Sequence, residues 1–187
     1  PRDKEDLITY FEGDYRPWHD AKVHVFAPAM KYGAGVFEGV RGYWSETRGE
    51  MVLFRLDEHL TRLEYSQRVM RFDRVFTPKE MAEPILEVMR RNAFAEHVHL
   101  RPVVYVDGNG PVGSLGPVEY AVTAVPSGIK DTVENGVAVQ VSSWQRFADL
   151  AMPTRVKANA NYNNSRMASM QARHDGYGAA LMMNQKG

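Results

Sequence analysis

The run Val98-His-Leu-Arg-Pro-Val-Val-Tyr-Val106 constrains the fold more than any other stretch of the chain. Extended backbone sends successive side chains to opposite faces. Val98, Leu100, Val104 and Val106 therefore share a face that suits a hydrophobic core, while His99, Arg101, Val103 and Tyr105 share the other. A histidine and an arginine side by side are costly to bury without partners. Two readings stay open from the residues alone: an edge or solvent-facing strand, or a pocket wall that holds an anion.

A second stretch bears on chemistry: Pro153-Thr-Arg-Val-Lys157-Ala-Asn-Ala-Asn161-Tyr162-Asn-Asn-Ser165. It sets one lysine among small and amide residues, with a tyrosine five places on. Lysine is the minority cation, seven of 23 basic residues. Unlike guanidinium, its amine can lose a proton and form an imine with a carbonyl. Taken alone, a solvated loop lysine is the more ordinary explanation, because burial and neighbours decide lysine reactivity.

Around these two stretches the chain reads as alternating short elements. Ile8 to Glu12, Gly13-Asp14, and Tyr15 to Trp18 predict strand, turn and strand. Val23 to Phe26 predicts a third short extended run. From Met30 to Tyr43, glycines at 33, 35, 39 and 42 oppose a long helix and suit a tight approach of backbone to something else. Val40 to Tyr43 and Met51 to Arg55 predict a hairpin with a polar tip at 45–50. A helix from Asp57 to Met70, capped by Asp57, buries Leu60, Leu63 and Met70 and sets Arg62 beside that face. Thr77-Pro78-Lys-Glu80 starts another helix, with Met81, Ile85, Leu86 and Met89 expected inside.

After the loop 107–117 and a strand over 119–125, the turn-rich segment Pro126 to Gly136 marks a boundary. Beyond it come a strand from Val137, an irregular stretch over 144–156, a helix from Tyr162 to Asp175 ended by Gly176, and a strand from Ala179 to Met183.

Composition excludes more than it selects. Net charge is zero, so nothing argues for nucleic acid or an anionic membrane. Cysteine is absent, which rules out disulfides and thiolate metal sites among these residues and fits a cytoplasmic protein. No apolar run approaches the ~18 residues of a membrane span.

Six ordered segments carry a resemblance. They are Asp20-Ala-Lys-Val-His-Val; Tyr32-Gly with Val36-Phe37-Glu38-Gly39-Val-Arg41; Phe54-Arg55 with Glu58-His59 and Arg62-Leu63; Arg101-Pro102; Val141-Ser-Ser-Trp144 with Arg146; and Lys157-Ala with Asn161-Tyr162 and Ser165. In order and spacing the chain, from about Tyr10 to Gly187, resembles the class IV (fold-type IV) pyridoxal-phosphate aminotransferases, and within them the branched-chain amino-acid type.

The resemblance implies an α+β architecture. A small N-terminal α/β domain would span 1–126, a linker 127–136, and the first part of a larger cofactor-binding domain 137–187. It implies that Lys157 tethers pyridoxal 5'-phosphate covalently and later moves a proton. Tyr162 would bond the cofactor's phenolic oxygen, and Arg62 its phosphate. Tyr32, Phe37, Arg41, His99 and Arg101 would line the substrate pocket, with Arg101 receiving the second carboxylate of glutamate or 2-oxoglutarate. The implied reaction is amino transfer between a hydrophobic L-amino acid and 2-oxoglutarate in a homodimer or higher homo-oligomer.

Two positions depart from the branched-chain pattern, and both concern substrate: His99 stands where tyrosine is common, and Ile129-Lys130 follow the Pro126-Ser-Gly128 of the linker in place of a pocket tyrosine. Relatives on the same scaffold act on D-amino acids or (R)-amines, or cleave aminodeoxychorismate, so these substrates stay open, as does an inactive cofactor-binding fragment. The family's acidic partner for the pyridine nitrogen is expected after Gly187. The stretch 1–187 is thus expected to be part of a longer polypeptide and inactive by itself.

Overall fold

The computed structural model describes residues 6–187. Its centre is an antiparallel sheet built on the alternating run. Strand β6 (Val98–Val106) pairs antiparallel with β7 (Val118–Pro126) from Val98↔Pro126 to Val106↔Val118. To these are added β1 (Ile8–Phe11) with β2 (Asp14–Pro17), the three-residue β3 (Gly35–Phe37), and the hairpin of β4 (Val40–Ser45) and β5 (Glu50–Leu53). Among the described residues this gives seven strands in the order β2-β1-β7-β6-β4-β5, with β3 also paired to β6.

One face of the sheet is the core. Val98, Leu100, Val104 and Val106 are fully buried, with Tyr120 and Val122 beside them. Each such side chain contributes roughly 1.5–3 kcal/mol on burial. Two helices cover this face: α2 (Leu56–Val69) through Leu60 and Leu63, and α3 (Pro78–Asn92) through Met81, Ile85 and Val88. The start of α3 is the expected capping box. Thr77 Oγ1 accepts from the Glu80 amide, and the Glu80 carboxylate accepts from the Thr77 amide.

Three expectations need correction. Asp57 does not cap α2: the helix begins one residue earlier, after Arg55 in the left-handed region at φ 51°, and no side chain caps it. Asp57 stays in the first turn, where it favours the positive helix end through charge alone. Leu86 is exposed, since the buried stripe runs through Met81, Pro84, Ile85, Val88 and Asn92. Val23 to Phe26 is no strand. It forms an exposed turn leading into the short helix α1 (Pro28–Tyr32). That helix ends at Gly33, whose φ of 69° suits glycine and whose added Cβ would lie 3.2 Å from the Ala160 side chain.

The segment after residue 126 contains α4 (Thr132–Asn135) and then a small β-α-β unit. Strand β8 (Val139–Val141) pairs parallel with β9 (Ala179–Leu181), and α5 (Asn161–His174) lies between them in sequence. Gln171 of α5 accepts from the Ser142 hydroxyl at 2.8 Å, fixing the helix to the end of β8. No described helix is long and apolar enough to cross a membrane.

Candidate active site

The lysine stretch, read in sequence as loop, is laid against β3 as an extra piece of strand. The Phe37 amide donates to the Lys157 carbonyl at 3.0 Å, and the Asn159 amide donates to the Gly35 carbonyl at 2.9 Å. These two bonds flank an antiparallel bridge between Val36 and Ala158. β3 is therefore held by β6 on one edge and by the lysine stretch on the other. Period-two alternation does the rest. Val156 and Ala158 are buried, and Lys157 between them turns the opposite way.

Lys157 Nζ emerges 2.7 Å from the Tyr162 hydroxyl and donates to it. Tyr162 stands in the first turn of α5, which Asn161 ties down: its buried amide group donates to the Pro153 and Val156 carbonyls. The Phe37 ring lies 5.1 Å from Lys157 Nζ and 4.9 Å, centroid to centroid, from the Tyr162 ring. Lys157 and Tyr162 open into a cleft of about 260 Å³ lined also by Arg62, Arg146, Thr154, Arg155, Asn161 and Ser165. Three guanidiniums and one ammonium face this cleft, and among the described residues no carboxylate lines it. Arg146 is braced by the Asn161 carbonyl at 3.2 Å and by the Phe147 ring at 3.9 Å.

Arg62 reaches the cleft from α2, and sequence reasoning missed what stands behind it. Glu38, wholly buried, accepts Arg62 Nε on one oxygen at 2.5 Å and Arg62 Nη2 on the other at 2.7 Å. His59, one helical turn before Arg62, contacts the second oxygen through Nδ1 at 2.9 Å. Burial pushes the Glu38 carboxyl up, but the hydrogen bonds from Arg62 and His59 outweigh it and hold the group below the usual carboxylate value. The same pairing raises Arg62 further. The signal was available: a glutamate following an apolar three-residue strand, and His59 and Arg62 spaced i, i+3 on one helix face.

The remaining predicted residues divide. Arg101 is exposed on the outer face of β6, 5.3 Å from the Phe37 ring centroid, and among the described residues it has no ion pair. His99 is on the same face, opposite Arg41 of β4. Burial, then Arg101, Arg41 and Lys157, lower its pKa, so the imidazole is neutral near pH 7. It lies so close to Gly39 that an added Cβ there would stand 2.9 Å from Nε2. Arg41 is turned toward residues 127–128: it donates to the Ser127 hydroxyl at 2.8 Å, the Ser127 carbonyl at 2.6 Å and the Gly128 carbonyl at 3.3 Å. Tyr32 does not line the cleft; it is exposed on α1, with Lys31 Nζ 5.2 Å from its ring centroid. The structure thus gathers Lys157, Tyr162 and Arg62 on one cleft, sets Phe37 against the first two and Arg101 beside Phe37, and leaves Tyr32 and Arg41 in other company.

The chain is similar over almost its whole length to known proteins. The branched-chain-amino-acid aminotransferase of Escherichia coli (strain K12) is 36% identical over 190 residues, covering 97% of this chain and 60% of that protein. Among solved structures, the branched-chain aminotransferase from Thermoproteus uzoniensis with norvaline superimposes with a TM-score of 0.89 at 36% identity, covering 97% of this chain and 61% of that one. A T.th. branched-chain amino acid aminotransferase complexed with N-(5'-phosphopyridoxyl)-L-glutamate gives 0.87 at 34% identity, covering 97% and 59%. The chain thus spans about 60% of the length of these relatives. The family profile described as "Amino-transferase class IV" matches residues 35–187, a range that holds every element of the cleft, and the chain belongs to that family.

Proposed function

We propose that the protein carrying this chain uses pyridoxal phosphate to move the amino group of a branched-chain L-amino acid to 2-oxoglutarate. The observation that carries the reading is the Lys157–Tyr162 pair, 2.7 Å apart, in a cleft lined by three guanidiniums and no described carboxylate. These residues fit the cofactor: a primary amine for its aldehyde, a phenol for its ring oxygen, and guanidiniums for its phosphate. When bound, pyridoxal phosphate supplies an electron sink for the bonds to the substrate's Cα.

The chain's own residues do the remaining work. The Lys157 amine takes a proton from the substrate carbon and returns it on the other side of the reaction, as a general base and acid in contact range. Tyr162 directs that amine, and Phe37 closes the wall beside both. Arg101 receives the distal carboxylate of the dicarboxylic partner, a charge-assisted contact of about 1.5–3 kcal/mol. The neutral His99 adds hydrogen bonding there without a third positive charge beside Arg101 and Arg41. The relatives named above are branched-chain aminotransferases, and one of them holds a phosphopyridoxyl-glutamate adduct, which supports both the cofactor and the dicarboxylic partner.

The test is chemical. Full-length protein is incubated with pyridoxal phosphate, reduced with borohydride, digested and mapped. The label is expected on Lys157; a label mainly on Lys31 or Lys130 overturns the assignment. Lys157→Ala is expected to abolish amino transfer, and Lys157→Arg not to restore it, because a guanidinium stays protonated. A donor panel of leucine, isoleucine and valine against D-amino acids and amines decides the substrate class.

A further inference from the structure

We infer that Glu38 is a positioning residue for anion binding: it holds the Arg62 guanidinium by its side edge and so aims the remaining fork at the phosphate end of the cleft. The inference rests on the reading that Arg62 serves the cofactor phosphate. A guanidinium has five N–H donors. Glu38 takes Nε–H and one Nη2–H, at 2.5 and 2.7 Å, which is the edge parallel to the side-chain stem. The end-on pair, Nη1 and the outer proton of Nη2, has no hydrogen-bond partner among the described residues, and Arg62 lines the cleft with Lys157 and Tyr162. That end-on fork is the geometry that binds two oxygens of one phosphate.

A surface arginine held by water would sample many rotamers and lose that entropy on binding. Arg62 has lost it already. Its anchor cannot swing, because Glu38 is fully buried and lies between β3 and β4, with its second oxygen held by His59 at 2.9 Å. His59 donates there, as an ionised carboxylate can only accept. Glu38 also neutralises Arg62 from behind, so its contribution to an anion is direction more than added charge.

The test compares two ligands on the full-length protein: pyridoxal phosphate and pyridoxal, which differ only in the phosphate. The ratio of their dissociation constants isolates the phosphate contribution. Glu38→Gln keeps one acceptor but turns an amide donor toward Nη2, and is expected to shrink that ratio about tenfold while leaving pyridoxal affinity unchanged. Glu38→Asp keeps the charge and the fold but draws the anchor back by one methylene, and is expected to shrink the ratio several-fold. A ratio unchanged in both variants, with Arg62→Lys lowering it, overturns the positioning role and leaves Glu38 a structural ion-pair partner. Equal losses for both ligands also overturn it. A ratio unchanged in Arg62→Lys as well removes Arg62 from the phosphate site, and it is then the underlying cofactor reading that fails.

Discussion

Arg62 and Arg101 both stand near Lys157, and the fold holds them in contrary ways. Arg62 is clamped by a buried carboxylate at 2.5 and 2.7 Å, with His59 as a second brace. Arg101 stands exposed on a strand, steadied by little more than the Phe37 ring 5.3 Å away. The difference matches the two jobs proposed for them. A group that meets the same anion in every turnover gains from being fixed beforehand, whereas one that must accept and release different partners gains from being left open.

The sharpest way to break this contrast is to remove each guanidinium. Arg62→Ala strands the buried Glu38 charge, and breaking a buried pair costs about 3–5 kcal/mol. Arg62 is itself half exposed and His59 remains, so about 3 kcal/mol is expected, read as a lower urea midpoint of the full-length protein. A midpoint within error of the wild type would show that the clamp is not structural. Arg101→Leu should do the reverse. Its stability should stay within about 0.5 kcal/mol, while apparent affinity for 2-oxoglutarate and glutamate falls roughly tenfold and that for leucine changes little. Equal losses for both substrate kinds would make Arg101 structural too.

Acid titration sharpens the comparison further. The Glu38 carboxyl is held below its ordinary value, so the unfolded chain binds more protons than the folded one in the acid range. That stability is complete above the ordinary carboxylate value and is lost as pH falls through the lowered one. Midpoints measured between about pH 5 and pH 3 should drop steeply in the wild type and less steeply in Glu38→Gln. His99 gives the smallest effect, with the same sign at higher pH. Its folded value is lowered, so stability should decline slightly as pH falls below about 6.5, and His99→Gln should remove that slope.

Much of this was legible before any coordinates. β6 declared both its faces because nine alternating residues leave little freedom of register, and the Thr77 capping box is a local signal that tertiary packing had no reason to override. Lys157 and Tyr162 were legible for the same reason, being close in sequence. What failed was phase and partnership. Leu86 and Val88 are equally apolar, and only the direction from which the sheet meets α3 decides which is buried. Asp57 looked like a cap because the left-handed start at Arg55 leaves no trace in composition. Glu38 was read as part of a motif and nothing more. A lone glutamate does not reveal that it will be buried until α2 delivers His59 and Arg62 to it, 21 and 24 residues later.

The bridge between Val36 and Ala158 has a consequence for how such a chain tolerates length changes. A strand partner moves only in whole steps, and each single step exchanges its two faces. One residue inserted beside Lys157 would therefore not nudge the amine; it would turn it toward the core and bring the buried Ala158 round in its place. One residue inserted in the exposed turn at 149–151 meets no such constraint, because the surplus can bulge into solvent. Descendants of this sequence can thus vary in length freely on the approach to the site, while the few residues facing β3 keep their count.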